Sequence, residues 1–430
     1  MSNILNGQLG SLVAAGGGKI HTGPFGSQLH ASDYVPEGIP CIMPADMKNS
    51  RVDLSNISFI TEADAQRLSK YIVKENDIVY SRRGDVTQKA LIRKSEAGYF
   101  CGTGCLLLRP GKKFDARYLT YYLSIPKIQN WIISQAVGAT MPNLNTGILS
   151  SIPFHGPEKP EQERVANVLS AIEEKIELNN RINVELEAMA KTLYDYWFVQ
   201  FDFTDDSPQG QGKPYKTSGG KMVYNPTLKR EIPQGWEVKK LADVTSVIRR
   251  GISPKYTDEG GISVLNQKCV RGQKISFEDA RRHKIELDDE DERLLKPFDV
   301  VVNSTGVGTL GRVAYVKRLP EKKTTVDSHV SIVRAKPELV SPQYLAWKLM
   351  RHQPEIESAA NGSTGQVELS KSFLEDIDVI IPLESIVRKF DKFVSPLVPK
   401  LAARESENEK LVQLRDWLLP MLMNGQVTVK

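Results

Sequence analysis

The chain has 430 residues, with 57 Lys and Arg against 52 Asp and Glu and a net charge of +5. That length has room for roughly two or three domains with their own cores, and a mild positive charge permits a nucleic-acid partner without requiring one. Four cysteines (Cys41, Cys101, Cys105, Cys269) with no paired framework suit a reducing compartment, and MSNILNGQLGSL has no signal-peptide pattern. No apolar run approaches the length of a membrane span. These features predict a soluble, cytoplasmic protein with no membrane partner.

Residues 1–156 read as one α/β (α+β) domain. HTGPFGSQLHASDY is a Gly- and Ser-rich loop, and the strand-like pieces IPCIMPA, ISFI, YIVKENDIVYSRRG, KALIRK and GCLLLRPG follow it. An amphipathic helix, DARYLTYYLSIPKIQNWIIS, and a polar loop, GATMPNLNTGILSSIPF, complete the unit.

Residues 157–202 predict one long helix. Val165, Leu169, Ile172, Ile176, Asn179, Asn183, Leu186, Ala190, Leu193 and Trp197 recur at alternating steps of four and three, and eight of the ten are apolar. Pro160 suits a first helical turn. About 38 residues at 1.5 Å each make a rod of roughly 57 Å, and its apolar stripe needs a partner. The partner is expected at residues 382–430, where Leu397, Leu401, Leu411, Leu414, Leu418 and Leu422 form a second seam. Pro396 and Pro399 should break this helix near its start. Asn179, Asn183 and Asn408 either sit inside the seams and set register, or lie at a flank facing water. Residues 203–231, dense in Gly, Pro, Ser and Asp, read as a distance-spanning linker.

Residues 232–381 repeat the first unit. KPFDVVVNSTGVGTLGRVAYV mirrors KENDIVYSRRGDVTQKALI, and DSHVSIVRAKPELVSPQYLAWKLM mirrors GTGCLLLRPGKKFDARYLTYYLS. The landmarks Asp77/Asp299, Leu119/Leu345 and Thr140/Thr364 keep a spacing of 222 to 226 residues. Domain, helix, domain, helix is a tandem repeat with expected pseudo-twofold symmetry. Such an object suits either a two-part DNA target or a coiled-coil adaptor that presents two protein-binding modules.

Matched polar loops bear on that choice. Thr22, Phe25 and Ser27 align loosely with Arg249, Arg250 and Ser253; Ser81, Arg82 and Arg83 with Asn303, Ser304 and Thr305; Thr140, Asn143 and Asn145 with Ser363, Thr364 and Gln366. Arg, Asn, Ser and Thr donate to phosphates and base edges, and Gly lets backbone approach closely. The same residues also form ordinary turns. Lys112-Lys113, Arg281-Arg282-His283-Lys284 and Lys322-Lys323 could track phosphates or be surface charge. Catalytic motifs are missing: no G-x-x-x-x-G-K-[ST] loop, no Asn/Asp-Pro-Pro-aromatic loop (Asn225-Pro226-Thr227 departs from it), and six scattered His without ligand spacing. His329 reads as a core or surface histidine.

The stretches TGPFGSQL, NDIVYSRRG, PEQERVANVLSAIEEKIELNNRINVELEAMAKTLYDYWFVQFD, GGKMVYNPTLKREIPQGWEV, NGSTGQ and LVQLRDWLLPMLMNGQV resemble the specificity (S) subunit of a Type I restriction-modification system over nearly the whole chain. The resemblance implies two target recognition domains and an antiparallel coiled coil acting as a ruler between half-sites. Val165, Leu169, Ile172, Ile176, Leu186 and Leu193 would pair with Leu401, Leu411 and Leu418. It further implies double-stranded DNA and two modification (M) subunits as partners, with restriction (R) subunits joining for cleavage. The chain itself would be non-catalytic and bind no cofactor. S-adenosylmethionine would belong to M, and ATP and Mg to R. An inactive or silent specificity subunit is a further alternative.

Overall fold

The computed structural model describes residues 4–136, 142–284, 287–360 and 368–429. The chain divides into two compact units, residues 1–178 with 408–430, and residues 179–407.

In the first unit a four-stranded antiparallel sheet lies at the centre. Its order is Lys19–Thr22, Cys105–Arg109, Ile78–Ser81, Lys89–Leu91. The central strands read IVYS and CLLLR, apolar with little alternation, because both sheet faces are covered. Ile78, Tyr80, Leu106 and Leu108 enter one core with Leu149, Phe154 and the start of the first long helix. Val79, Ala90, Cys105 and Leu107 enter another with Cys41, Ile42 and Ile60. These come from a second, smaller sheet in which Ile39–Ile42 pairs parallel with Phe100–Cys101. The single amphipathic helix expected at 115–134 is two helices, Ala116–Tyr122 and Pro126–Gln135. Pro126 lacks the amide that would continue the first and instead begins the second.

The second unit repeats this plan. Thr245–Arg250, Val330–Ala335, Val300–Asn303 and Val313–Tyr315 form the central antiparallel sheet. Val300, Val302 and Val333 face one core, while Val301, Ala314 and Ile332 face the other. One buried ion pair marks the repeat. Arg109 donates to Asp77 through Nε (2.8 Å) and Nη2 (2.6 Å), and Arg334 does the same to Asp299 at 2.8 and 2.6 Å. Each carboxylate also accepts a backbone amide three residues upstream, from Lys74 and Lys296. The two forks therefore lock equivalent strand entries.

The first long helix runs Lys159–Tyr194, 36 residues or about 54 Å. Buried Gln162 ties its start to the first domain, accepting the Asp115 amide (3.0 Å) and donating to the Pro157 carbonyl (2.8 Å). The helix then widens into a π-turn, Asp195–Val199, where the Gln200 amide reaches back to the Asp195 carbonyl at 2.9 Å. The turn sets Trp197 and Phe198 beside Tyr194, Phe390 and Tyr344 in one aromatic core.

The distal segment is two helices, Glu384–Val394 and Leu397–Met423, interrupted at Ser395–Pro396. Pro399 falls in the first turn of the second, where it is tolerated. In the first unit Val165 and Leu169 share a core with Leu418, Leu422 and Met423. In the second, Asn179 donates to Glu407 (2.8 Å) and Asn183 to the Leu401 carbonyl (3.4 Å). In the second unit the helices therefore run antiparallel. Asn179 and Asn183 are buried, inside the seam rather than at its flank. Val165, Leu169 and Leu401 are buried, whereas Ile172, Ile176, Leu186, Leu193, Leu411 and Leu418 are half-buried. Leu414 does not belong to the seam; it is exposed beside Trp417.

Residues 203–231 are folded rather than extended. They form two hairpins, Thr204–Asp205 with Lys213–Pro214 and Met222–Asn225 with Arg230–Pro233. Phe203 stacks between Tyr215 and Trp236 at 4.6 and 5.3 Å. Asp202 accepts from the Thr217 amide and hydroxyl at 2.7 and 2.6 Å. Aromatic stacking thus organises a segment whose composition alone reads as unstructured.

Candidate nucleic-acid interface

At one end of each central sheet, three chain crossings share one backbone frame. In the first unit the Gly23 amide donates to Cys105, Arg82 to Gly104 and Leu144 to Arg82, each at 2.8 Å. In the second the Gly251 amide donates to Val330 (3.1 Å), Ser304 to His329 (2.8 Å) and Leu369 to Ser304 (2.9 Å). Bridges Arg83–Asn143 and Thr305–Glu368 close the two frames. A Cβ on Gly23 would overlap the Gly102 carbonyl, and one on Gly251 the Val326 carbonyl, so both crossings need glycine.

On this frame the first edge carries a positioned arginine. The Arg82 guanidinium lies 5.4 Å from the centre of the exposed Phe25 ring, and its Nε donates to Asn143 Oδ1 at 3.4 Å. Arg83 and Ser27 are exposed, and Thr22 is half-buried at the strand end. Ser81 is fully buried and donates to the Arg83 carbonyl (2.9 Å), so it shapes the loop and does not reach outward. Asn145 caps the helix Thr146–Ser151 by accepting the Ile148 amide at 2.8 Å. Ser370 performs the same task for Phe373 at 3.1 Å. Asn145 is thereby occupied as a cap.

The second edge keeps the frame and changes the side chains. Arg249 pairs with Glu292 (3.3 Å), and Arg250 pairs with Glu368 while donating to the Leu369 carbonyl (3.2 Å). Ser253 is exposed. Asn303 is buried, donating to the Gln267 and Thr309 carbonyls at 2.9 and 3.1 Å. Ser304 is buried against Ser331 at 2.6 Å. Both hold the frame from inside. Thr305 is half-buried, its hydroxyl 2.6 Å from His329 Nδ1 on an exposed ring. Thr140, Ser363, Thr364 and Gln366 lie outside the described residues.

Four further residues belong to the second edge. Tyr256 donates to Asp327 (3.3 Å), Arg281 lies 3.6 Å from the centre of the Tyr256 ring, and the His329 amide donates to Asp327 Oδ1 at 2.9 Å. Burial raises the Asp327 carboxyl above its usual range. The strand register places Asp327 and His329 where the first unit has Gly102 and Gly104. The sequence alignment of DSHVSIV on GTGCLLL carried that signal; Glu368 takes the place of Asn143 through its bridge to Thr305, which the sequence alignment of the two polar loops did not show.

Most of the basic clusters are committed to intrachain pairs. Arg282 binds Glu321 (2.7 Å) and the Gly260 and Gly261 carbonyls (both 2.7 Å); Lys322 and Lys323 approach Asp289 at 3.3 and 2.9 Å. His283 is buried and accepts the Lys255 amide at 2.8 Å. Lys112 and Lys113 follow the far end of the strand Cys105–Arg109, away from Gly104. Among the described residues no cluster of three or more His, Cys, Asp or Glu could hold a metal, and no helix is long and apolar enough to cross a membrane.

Comparison with known proteins places these edges in a family. The family model described as Type I restriction modification DNA specificity domain matches residues 19–188 and again 233–410. The MjaIX Type I restriction enzyme specificity subunit of Methanocaldococcus jannaschii is 27% identical over 409 residues, covering 93% of this chain and 89% of the relative. The HindI specificity subunit of Haemophilus influenzae is 22% identical, covering 90% and 94%. The crystal structure of a Type I restriction-modification S subunit from M. genitalium superposes with a TM-score of 0.62 at 18% identity, covering 98% of this chain and 96% of that one. Both matched segments contain one strand-end frame, and together they take in most of the sequence: the chain belongs to the Type I restriction-modification DNA specificity family.

Proposed function

We propose that the chain is the DNA-reading subunit of a Type I restriction-modification complex, recognising a two-part target with a nonspecific gap. The observation that carries this reading is the pair of strand-end edges. They share backbone crossings residue for residue, and they differ in the side chains they present. Two readers of different half-sites need that combination.

On the first edge, Phe25 and Asn143 hold Arg82 before DNA arrives, which reduces the ordering cost of a guanidinium contact. Arg82 would donate to a guanine edge or a phosphate, and Arg83 and Ser27 to the backbone. The second edge would read through Arg250, Thr305, Ser253 and His329. The long helices would set the gap and dock two M subunits, with R subunits joining for cleavage. The chain contributes recognition alone. S-adenosylmethionine would act on M, and ATP with Mg on R. M would extrude and methylate an adenine placed by this chain.

Co-expression with the M partner, followed by mapping of methylated adenines, tests the proposal. A two-part motif of fixed gap supports it. A stable S–M complex that marks no adenine would reveal a silent specificity subunit. Absence of any S–M complex or DNA binding would favour a protein adaptor.

A further inference from the structure

At one matched pair of positions the first edge is neutral and the second carries two opposite charges. Strand register sets Arg250 opposite Ser331 and Thr22 opposite Leu106, and these partners are equivalent in the repeat. The closing bridges set Glu368 where the first unit has Asn143. The neutral residues Thr22 and Asn143 of the first unit thus correspond to an Arg–Glu ion pair in the second.

We propose that Arg250 and Glu368 together read one C·G base pair of the second half-site. Arg250 donates to guanine O6 and N7, and Glu368 accepts from the cytosine N4 amino group. The assignment rests on the reading of the chain as a DNA specificity subunit.

A carboxylate on a DNA-facing edge is repelled by phosphate, so its natural DNA partners are amino groups in the major groove, on cytosine or adenine. The neighbouring arginine decides between them. Cytosine pairs with guanine, whose O6 and N7 accept a guanidinium side by side; adenine pairs with thymine, which offers O4 and a methyl group. An Arg–Glu pair therefore matches the donor and acceptors of C·G across a single base-pair edge.

The side chains are 36% and 50% exposed, and ion pairs this open add little to folding. Stability does not account for a carboxylate at the end of a DNA-reading sheet. The pair is also preorganised. Arg250 is also anchored on the Leu369 carbonyl, and Glu368 sits on the Thr305 bridge, so both heads are positioned while each satisfies the other in free protein.

The test maps methylated adenines for full-length chain with M, comparing wild type with Glu368→Ala, Arg250→Ala and the double variant Arg250→Thr/Glu368→Asn. The double variant installs the first unit's own residues, so the frame accommodates it. The wild-type motif should contain C·G at one position of one half-site. Each variant should relax that same position, lowering its discrimination about 5- to 150-fold, and leave the other half-site unchanged. The proposal is overturned if the variants relax different positions, weaken all sites uniformly, or leave the motif intact. A wild-type complex with no two-part motif, whether it marks adenines without one or marks none, overturns the reading of an active two-part specificity subunit and the base-pair assignment together. A wild-type motif in which no C·G responds to either residue overturns the assignment alone.

Discussion

Lys317 offers a direct test of how the second domain is fastened to the helices. Its side chain is 6% exposed, and Nζ donates to Glu187 on the first long helix (2.5 Å) and Glu405 on the second (2.9 Å). Burial alone would lower its pKa, but the two carboxylates outweigh burial and hold it up to about 12. Lys317→Met keeps the apolar stem and deletes the charge. Glu187 and Glu405 then face each other without their common cation. Removing one partner of a buried pair costs roughly 3–5 kcal/mol. The carboxylates retain 25% and 28% exposure, which lets water relieve part of that cost and sets the expectation at about 3 kcal/mol. Arg93 is the matched residue of the first domain, and it binds Glu177 on the same helix with side chains 33% and 53% exposed. Arg93→Met should cost only about 0–1 kcal/mol. Urea titration followed by tryptophan fluorescence suits the comparison, because Trp197, Trp236 and Trp347 lie in the unit that holds Lys317, and Trp131 and Trp417 in the unit that holds Arg93. Adding Glu187→Gln and Glu405→Gln to Lys317→Met should recover most of the loss. A loss below about 1 kcal/mol for Lys317→Met, or an equal loss for Arg93→Met, would refute the burial argument.

Other outcomes follow from the same geometry. Arg82→Ala should weaken DNA binding by about 1–3 kcal/mol when measured by titration with M present; unchanged affinity in a folded variant would make Arg82 a bystander. Leu169→Ala, in the buried seam, should destabilise by about 2–5 kcal/mol, whereas exposed Leu414→Ala should stay within about 0.5 kcal/mol; equal losses would contradict the assigned seam. All four cysteines are buried, and burial pushes the Cys41 thiol up to about 12 and that of Cys269 to about 11. Native protein should therefore resist iodoacetamide at pH 8 and label at four sites only on unfolding; rapid native labelling would count against these cores.

What the sequence revealed depended on how local the signal was. The heptad steps from Val165 to Leu193 report a helix face directly, because periodicity belongs to the helix itself. Whether Asn179 and Asn183 faced in or out depended on Glu407 and Leu401, more than 200 positions away. The end of that helix was illegible for the same reason, since its π-turn answers to Tyr344 and Phe390. Residues 203–231 have linker composition, yet Phe203 stacked on Trp236 folds them. At the reading edges, the repeat spacing from Asp77 to Asp299 located the loops. It could not separate side chains that hold the frame from those that leave it. Ser81, Asn303 and Ser304 turned inward because the strand ends are covered, while Glu368 and His329 emerged from register with Asn143 and Gly104.

The central claim is that two independent readers share one chain. Exchanging residues 1–156 for the matching domain of another family member, with M co-expressed and methylated adenines mapped, tests it most directly. The account expects a new sequence in one half-site, with the other half-site unchanged. A change in both halves, or in neither, would contradict independent reading by the two domains.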